Sequence, residues 1–184
     1  MKKVLDYIKP FISIVFGALI TLLFLNNLNR GDLETVKSVF AIIVGGYFIV
    51  VGLLGLLAPQ QIGEKPLRLL NSIGISVYAV FFFLCIVLNV ADYNAGYGVN
   101  GWVVANFALT VSMGFAVLFL LTFFVKNAVV ERLARIFGLL FLLALLLNVL
   151  FDRLGNPMLL GQIELLKVVT HITFASIYLG TWKE

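Results

Sequence analysis

Residues 136 to 151 read IFGLLFLLALLLNVLF, a run without one charged side chain. The run belongs to a longer apolar stretch at 133–151, and five others resemble it, at 10–28, 37–58, 68–91, 102–125 and 163–182. A helix of about 20 apolar residues crosses a hydrocarbon core of about 30 Å. Lipid supplies no hydrogen-bonding partner, so a spanning segment satisfies its backbone within a helix or within a closed barrel. Barrel strands alternate apolar and polar residues over ~10 positions, and the unbroken runs here do not. The connections are short, so consecutive helices run antiparallel. The expected fold is all-α: a polytopic membrane protein whose six transmembrane helices form three sequential antiparallel hairpins, one six-span domain over residues 1–184.

Composition agrees. The chain is 62% hydrophobic and 12% charged, with a mean hydropathy of +1.10, where soluble domains carry about 25% charged residues. A soluble chain this long leaves roughly a third of its unfolded surface in water, so lipid has to cover much of the apolar excess. The N-terminal MKKVLDYIKP followed by an apolar run resembles a signal peptide. That run exceeds an ordinary signal core, and no small-x-small site precedes NNLNRGD, so it is expected to be an uncleaved first helix.

The net charge of +4 sits mainly between the apolar runs and forms no basic patch, which argues against a nucleic-acid partner. Its distribution orients the chain instead. On the side of the termini lie Lys2, Lys3, Lys9, Lys65, Arg68, Lys126, Arg132, Arg135 and Lys183; on the other lie Arg30, Lys37, Arg153 and Lys167. Basic residues concentrate in cytoplasmic loops, so both termini are expected in the cytoplasm and the protein in the cytoplasmic membrane.

Helices in lipid gain little from burying apolar groups against one another and associate through close contact of small residues. Such residues line helix 1 (Ser13, Gly17, Thr21), helix 2 (Ala41, Gly45, Gly52, Gly55) and helix 4 (Ala105, Ala108, Ser112, Ala116). Gly45, Gly52, Gly55, Ala108, Ser112 and Ala116 are the expected packing positions. The alternative use of such stripes is an oligomer interface or a gap for a small solute. Helix 5, almost uniformly Leu, Phe and Ile, is expected to face lipid widely.

A weak recurrence places Asp32, Asp92 and Asp152 sixty residues apart at the outer ends of the odd helices. Ordinary capping of helix ends explains them, while carboxylates gathered on one face would suit a hard cation such as calcium. The connection DYNAGYGVNGW, 92–102, carries interface aromatics and turn-permitting glycines. Its GYG has no room for the pore helix that a potassium filter needs.

No catalytic constellation is visible. The single histidine rules out a bis-histidine haem or multi-histidine zinc site within one chain, Cys85 has no partner for a disulfide within the chain, and no cofactor is expected. Polar residues inside the spans, among them Ser72, Ser76, Tyr78, Asn106, Thr110 and Thr122, suit hydrogen bonding between helices.

Attention falls on IELLKVVTHITF, 163–174. Glu164, Lys167 and His171 are spaced by three and four residues and share one helical face. Glu164 is expected at the outer interface, with Lys167 snorkelling toward it. His171 then lies about 10 Å deeper, with Thr170 and Thr173 adding polarity. The bland reading is a neutral histidine bonded to a neighbouring helix; the functional one is a polar path. The leading expectation is a channel- or transporter-like protein handling a small solute or ion along helix 6. The alternative is an accessory or protective subunit that binds another membrane protein, or a homo-oligomer, and the third is a lipid-acting enzyme.

Overall fold

The computed structural model describes residues 2–25, 28, 31–58, 62–155 and 162–181; side chains are described for 8–25, 28, 31–58, 62, 63, 65–88, 103–150 and 165–181. The chain is all-helical, with no strand among the described residues. Its long helices are α1 (Lys2–Leu25), α2 (Asp32–Leu57), α3 (Glu64–Phe124), α4 (Ala128–Gly155) and α5 (Gln162–Thr181). Five segments are long and apolar enough to cross a membrane: Ile8–Leu25, Asp32–Leu57, Lys65–Leu88, Val103–Phe124 and Ala128–Leu150. The sixth, α5, has 20 residues, and its apolar part, Leu165–Thr181, is shorter than the other five, about 25 Å at 1.5 Å per residue.

Two expectations change. The second span begins at Asp32 rather than 37, because Asp32 and Glu34 occupy the first turn of α2, where acidic side chains complement the helix dipole. Lys37, expected as the first residue of the span, is therefore a turn inside the helix, 5% exposed and ion-paired with Glu34 one turn earlier. The second change concerns 92–101, expected as a loop but helical in backbone, inside the 61 residues of α3. The stretch contains no proline, so nothing in it removes a backbone donor.

A straight helix of that length would reach about 90 Å, three times the hydrocarbon thickness. It is not straight. The ring centroids of Phe82 and Phe115 lie 5.6 Å and 5.2 Å from that of Phe141, so they are at most about 11 Å apart, whereas a straight helix would separate them by roughly 50 Å. The run folds back on itself between them, and its two halves make two spans, as the hairpin arrangement requires.

The chain divides into two compact units, Met1–Ile75 with Val169–Glu184, and Ser76–Val168. In the first, α1 and α2 meet along a seam of glycines. A Cβ added to Gly45 would lie 2.6 Å from the Gly17 carbonyl oxygen; one added to Gly52 would lie 2.6 Å from that of Pro10, and one on Gly55 2.9 Å from Pro10 Cγ. Contacts that descend α1 from 17 to 10 as they ascend α2 from 45 to 55 make the pair antiparallel. Around this seam Phe16 meets Phe48 edge-on at 4.7 Å and Phe174 of α5 at 5.7 Å.

Tyr47 ties α2 to α3. Its hydroxyl donates to the Leu70 carbonyl oxygen at 2.8 Å, and its ring covers Gly74, where a Cβ would lie 2.8 Å from Tyr47 Cε1. Tyr47→Phe is expected to lower stability by about 0.6 kcal/mol, the typical net value of an interhelical hydrogen bond in a membrane, read from unfolding in micelles.

The second unit is built on aromatic rings. Phe141 of α4 is fully buried and touches Tyr78, Phe82 and Phe115, the last in a stacked arrangement. Ala105, Ala108, Ser112 and Ala116 are buried beside Phe115 and Phe119 on one face of α3. On α4 the buried positions Ala134, Gly138, Phe141 and Leu145 recur at three or four residues, while Val129, Leu133, Ile136, Leu139, Leu143, Leu146 and Leu150 are exposed. The exposed stripe is the surface this helix offers to lipid.

Candidate functional site

Helical geometry sorts the residues of α5 into two sides. Leu165, Val168, Val169, Ile172, Ser176 and Leu179 are exposed, and Thr170, Phe174, Ile177 and Tyr178 are buried. At 100° per residue, Lys167 falls within the buried sector and His171 at its edge, next to Tyr178. Thr173 falls at the opposite edge. Lys167, His171 and Thr173 are each half-buried, and the Nε2 atom of His171 is shielded from the surface. Among the described residues, Lys167 and His171 thus stand toward the protein-facing side of the helix, which is where a costly charge is kept.

Depth follows from length. His171 lies nine residues after Gln162 and ten before Thr181, about 14–15 Å from either end of the helix. That is the middle of the helix. Lys167 is one turn nearer the N-terminal end, close enough for its stem to carry the ammonium outward. The side chain of Glu164 lies outside the described residues, so its place at the interface rests on helical register alone. Thr173 donates to the Thr170 carbonyl oxygen at 2.8 Å, and Ser176 to that of Ile172 at 2.9 Å.

The same economy holds in the rest of the bundle. Thr21, Ser38, Ser72, Ser112 and Thr122 each donate to a carbonyl three or four residues earlier in their own helix. A hydroxyl occupied in this way is a poor nucleophile without a base beside it. Among the described residues, no three metal-ligating groups gather. Asp32 is exposed at the start of α2; the side chains of Asp92 and Asp152 lie outside the described residues.

Sequence reasoning missed several residues that shape the bundle. Pro10 seats its ring against Gly55, and Gly114 abuts the Phe137 ring, with a would-be Cβ 2.7 Å from Cδ1. Pro10 stands in a charged N-terminal stretch and resembles a helix starter. Gly114 lies on the face of its helix opposite Ala105, Ala108, Ser112 and Ala116, so that stripe did not announce it.

The helical spans, their lipid-facing apolar surface and the composition define a multi-pass α-helical membrane protein. Comparison with family models, with curated proteins and with solved structures finds no match to this chain.

Proposed function

We propose that this protein handles a small solute or ion along the protein-facing side of α5, with His171 as the group that gates the route. One observation carries the reading: the only histidine of the chain stands at mid-helix, toward the protein-facing side. Ionisable groups at such depth are expensive, and where they persist they mark solute, ion or proton paths. Imidazole both donates and accepts hydrogen bonds and titrates near neutral pH in its ordinary state, which suits a gate. Thr170, Thr173 and Lys167 extend the polar surface to either side. The predominance of basic residues on the side of the termini further supports an orientation with both termini in the cytoplasm; reporters fused at 92–101 and 126–132 are expected outside and inside respectively.

The test is flux in proteoliposomes, with protons and small monovalent ions followed by entrapped fluorescent dyes. The purified protein is expected to raise flux of at least one of them above that of empty liposomes, and His171→Ala to remove most of the increase at unchanged thermal stability. Equal flux through both proteins would reject the role of His171.

A second reading has its own support. The hydroxyls bonded to their own helices, and the aromatic and glycine contacts within each unit, are features of a dry bundle. A dry bundle fits an accessory subunit that binds another membrane protein. It is separated from the first by water access at residue 171.

A further inference from the structure

In the first unit, Pro10 of α1 and Leu67 of α3 meet over Gly55 of α2: a Cβ built on Gly55 would lie 2.9 Å from Pro10 Cγ and 3.9 Å from Leu67 Cδ2. One turn along both helices, the Ser13 hydroxyl lies 3.3 Å from Asn71 Oδ1 and 3.4 Å from the Lys9 carbonyl oxygen, its single proton serving both. These contacts hold α1 and α3 side by side and parallel. They bring Lys9, the neighbour of Pro10, to one level with Arg68, the neighbour of Leu67, and Lys65 follows within a turn. The candidate spans begin at Ile8 and Lys65, and that of α2 ends at Leu57, so this level is the membrane surface. Lys65 and Arg68 are exposed and Lys9 is half-buried. A charge bias between loops explains cations on this side; it does not explain why those of two helices far apart in sequence stand at one level on adjacent helices.

We propose that Lys9, Lys65 and Arg68 form a binding site for the phosphate of an anionic phospholipid headgroup. The guanidinium of Arg68 supplies a planar fork that fits two phosphate oxygens, and the two ammonium groups supply point charge on either side. The lipid tails would lie along the apolar surface next to the site, where Ile8, Phe11 and Leu69 are exposed. Basic pockets between helices at this depth are the recurring way in which membrane proteins hold such headgroups.

The test uses the full chain in nanodiscs of phosphatidylcholine, with and without a minority of phosphatidylglycerol, and reads the thermal unfolding midpoint. Phosphatidylglycerol is expected to raise it by several degrees, and K9Q/K65Q/R68Q to lose most of that rise. K126Q/R132Q, which removes two other exposed cations, one before and one in the first turns of α4, is expected to keep it. Should the triple variant fail to assemble, R68Q alone is expected to lose much of the rise. A rise equal in wild type and in whichever of these variants folds would overturn the site. An equal rise from inorganic phosphate in phosphatidylcholine discs would assign the site to free phosphate and overturn the lipid.

Discussion

Gly45→Ala is expected to destabilise the protein by about 3 kcal/mol, at the upper end for overpacking a tight core, while Gly46→Ala one position on is expected to be neutral or slightly stabilising. The two glycines are adjacent in sequence and opposite in environment. A Cβ on Gly45 would lie 2.6 Å from the Gly17 carbonyl oxygen and 3.0 Å from Ile20 Cγ2, and would also strike the Thr21 hydroxyl. The first of these is backbone, which yields only if α1 and α2 move apart along the whole seam. A Cβ on Gly46 would meet nothing within 4 Å. There the substitution gains the ~0.5–1 kcal/mol by which alanine outranks glycine inside a helix. Denaturant unfolding in micelles of the two single variants reads the difference. Equal stability of the two would remove the glycine seam as the determinant of this helix pair.

Phe141→Ala carries the second large effect. Phe141 is fully buried and touches three aromatic side chains, Tyr78, Phe82 and Phe115. In a water-soluble core the change costs ~3–5 kcal/mol, part of it transfer from water and part the cavity left behind. In a membrane the first part shrinks, because lipid tails are as apolar as the ring they would solvate. The expected cost is therefore about 2–3 kcal/mol, mostly cavity and lost ring contacts. Because Phe141 holds together the two halves of the folded-back α3, the loss is expected to appear as lowered helix protection in Ser76–Val168 before Met1–Ile75 loosens, read by hydrogen exchange. Uniform loosening of both units would contradict the division into two units.

Spans were readable because lipid imposes a simple rule: about 20 apolar residues per crossing and charges between them. The rule locates the middle of each helix and says little about its ends. Asp32 and Glu34 look like connection residues, yet the dipole of α2 draws them into its first turn. The glycines and tyrosines of 92–101 look like a turn, yet the backbone there is helical, and the reversal shows only through the ring of Phe141. Side-chain partnerships were less readable still. Gly45, Gly52 and Gly55 announced a close-packing face, but the match of Gly52 and Gly55 to Pro10, and of Gly74 to Tyr47, depends on the rotation and offset of neighbouring helices. The depth of His171 needed only counting along a 20-residue helix. Its rotation toward the protein side needed the burial of Thr170, Phe174 and Tyr178.

The reading of this chain as a solute-handling protein turns on whether water reaches the protein-facing side of α5 at mid-helix. Single cysteines at His171 and at Ile172, placed in a Cys85→Ser background, give the direct measurement: reaction with a small charged thiol reagent in sealed membrane vesicles. Adjacent residues, one half-buried at the edge of the protein-facing side and one exposed, control for depth. The account predicts that His171→Cys reacts while lipid-facing Ile172→Cys stays inert. Absence of reaction at 171 in a folded protein would mean a dry bundle, and would contradict the polar path.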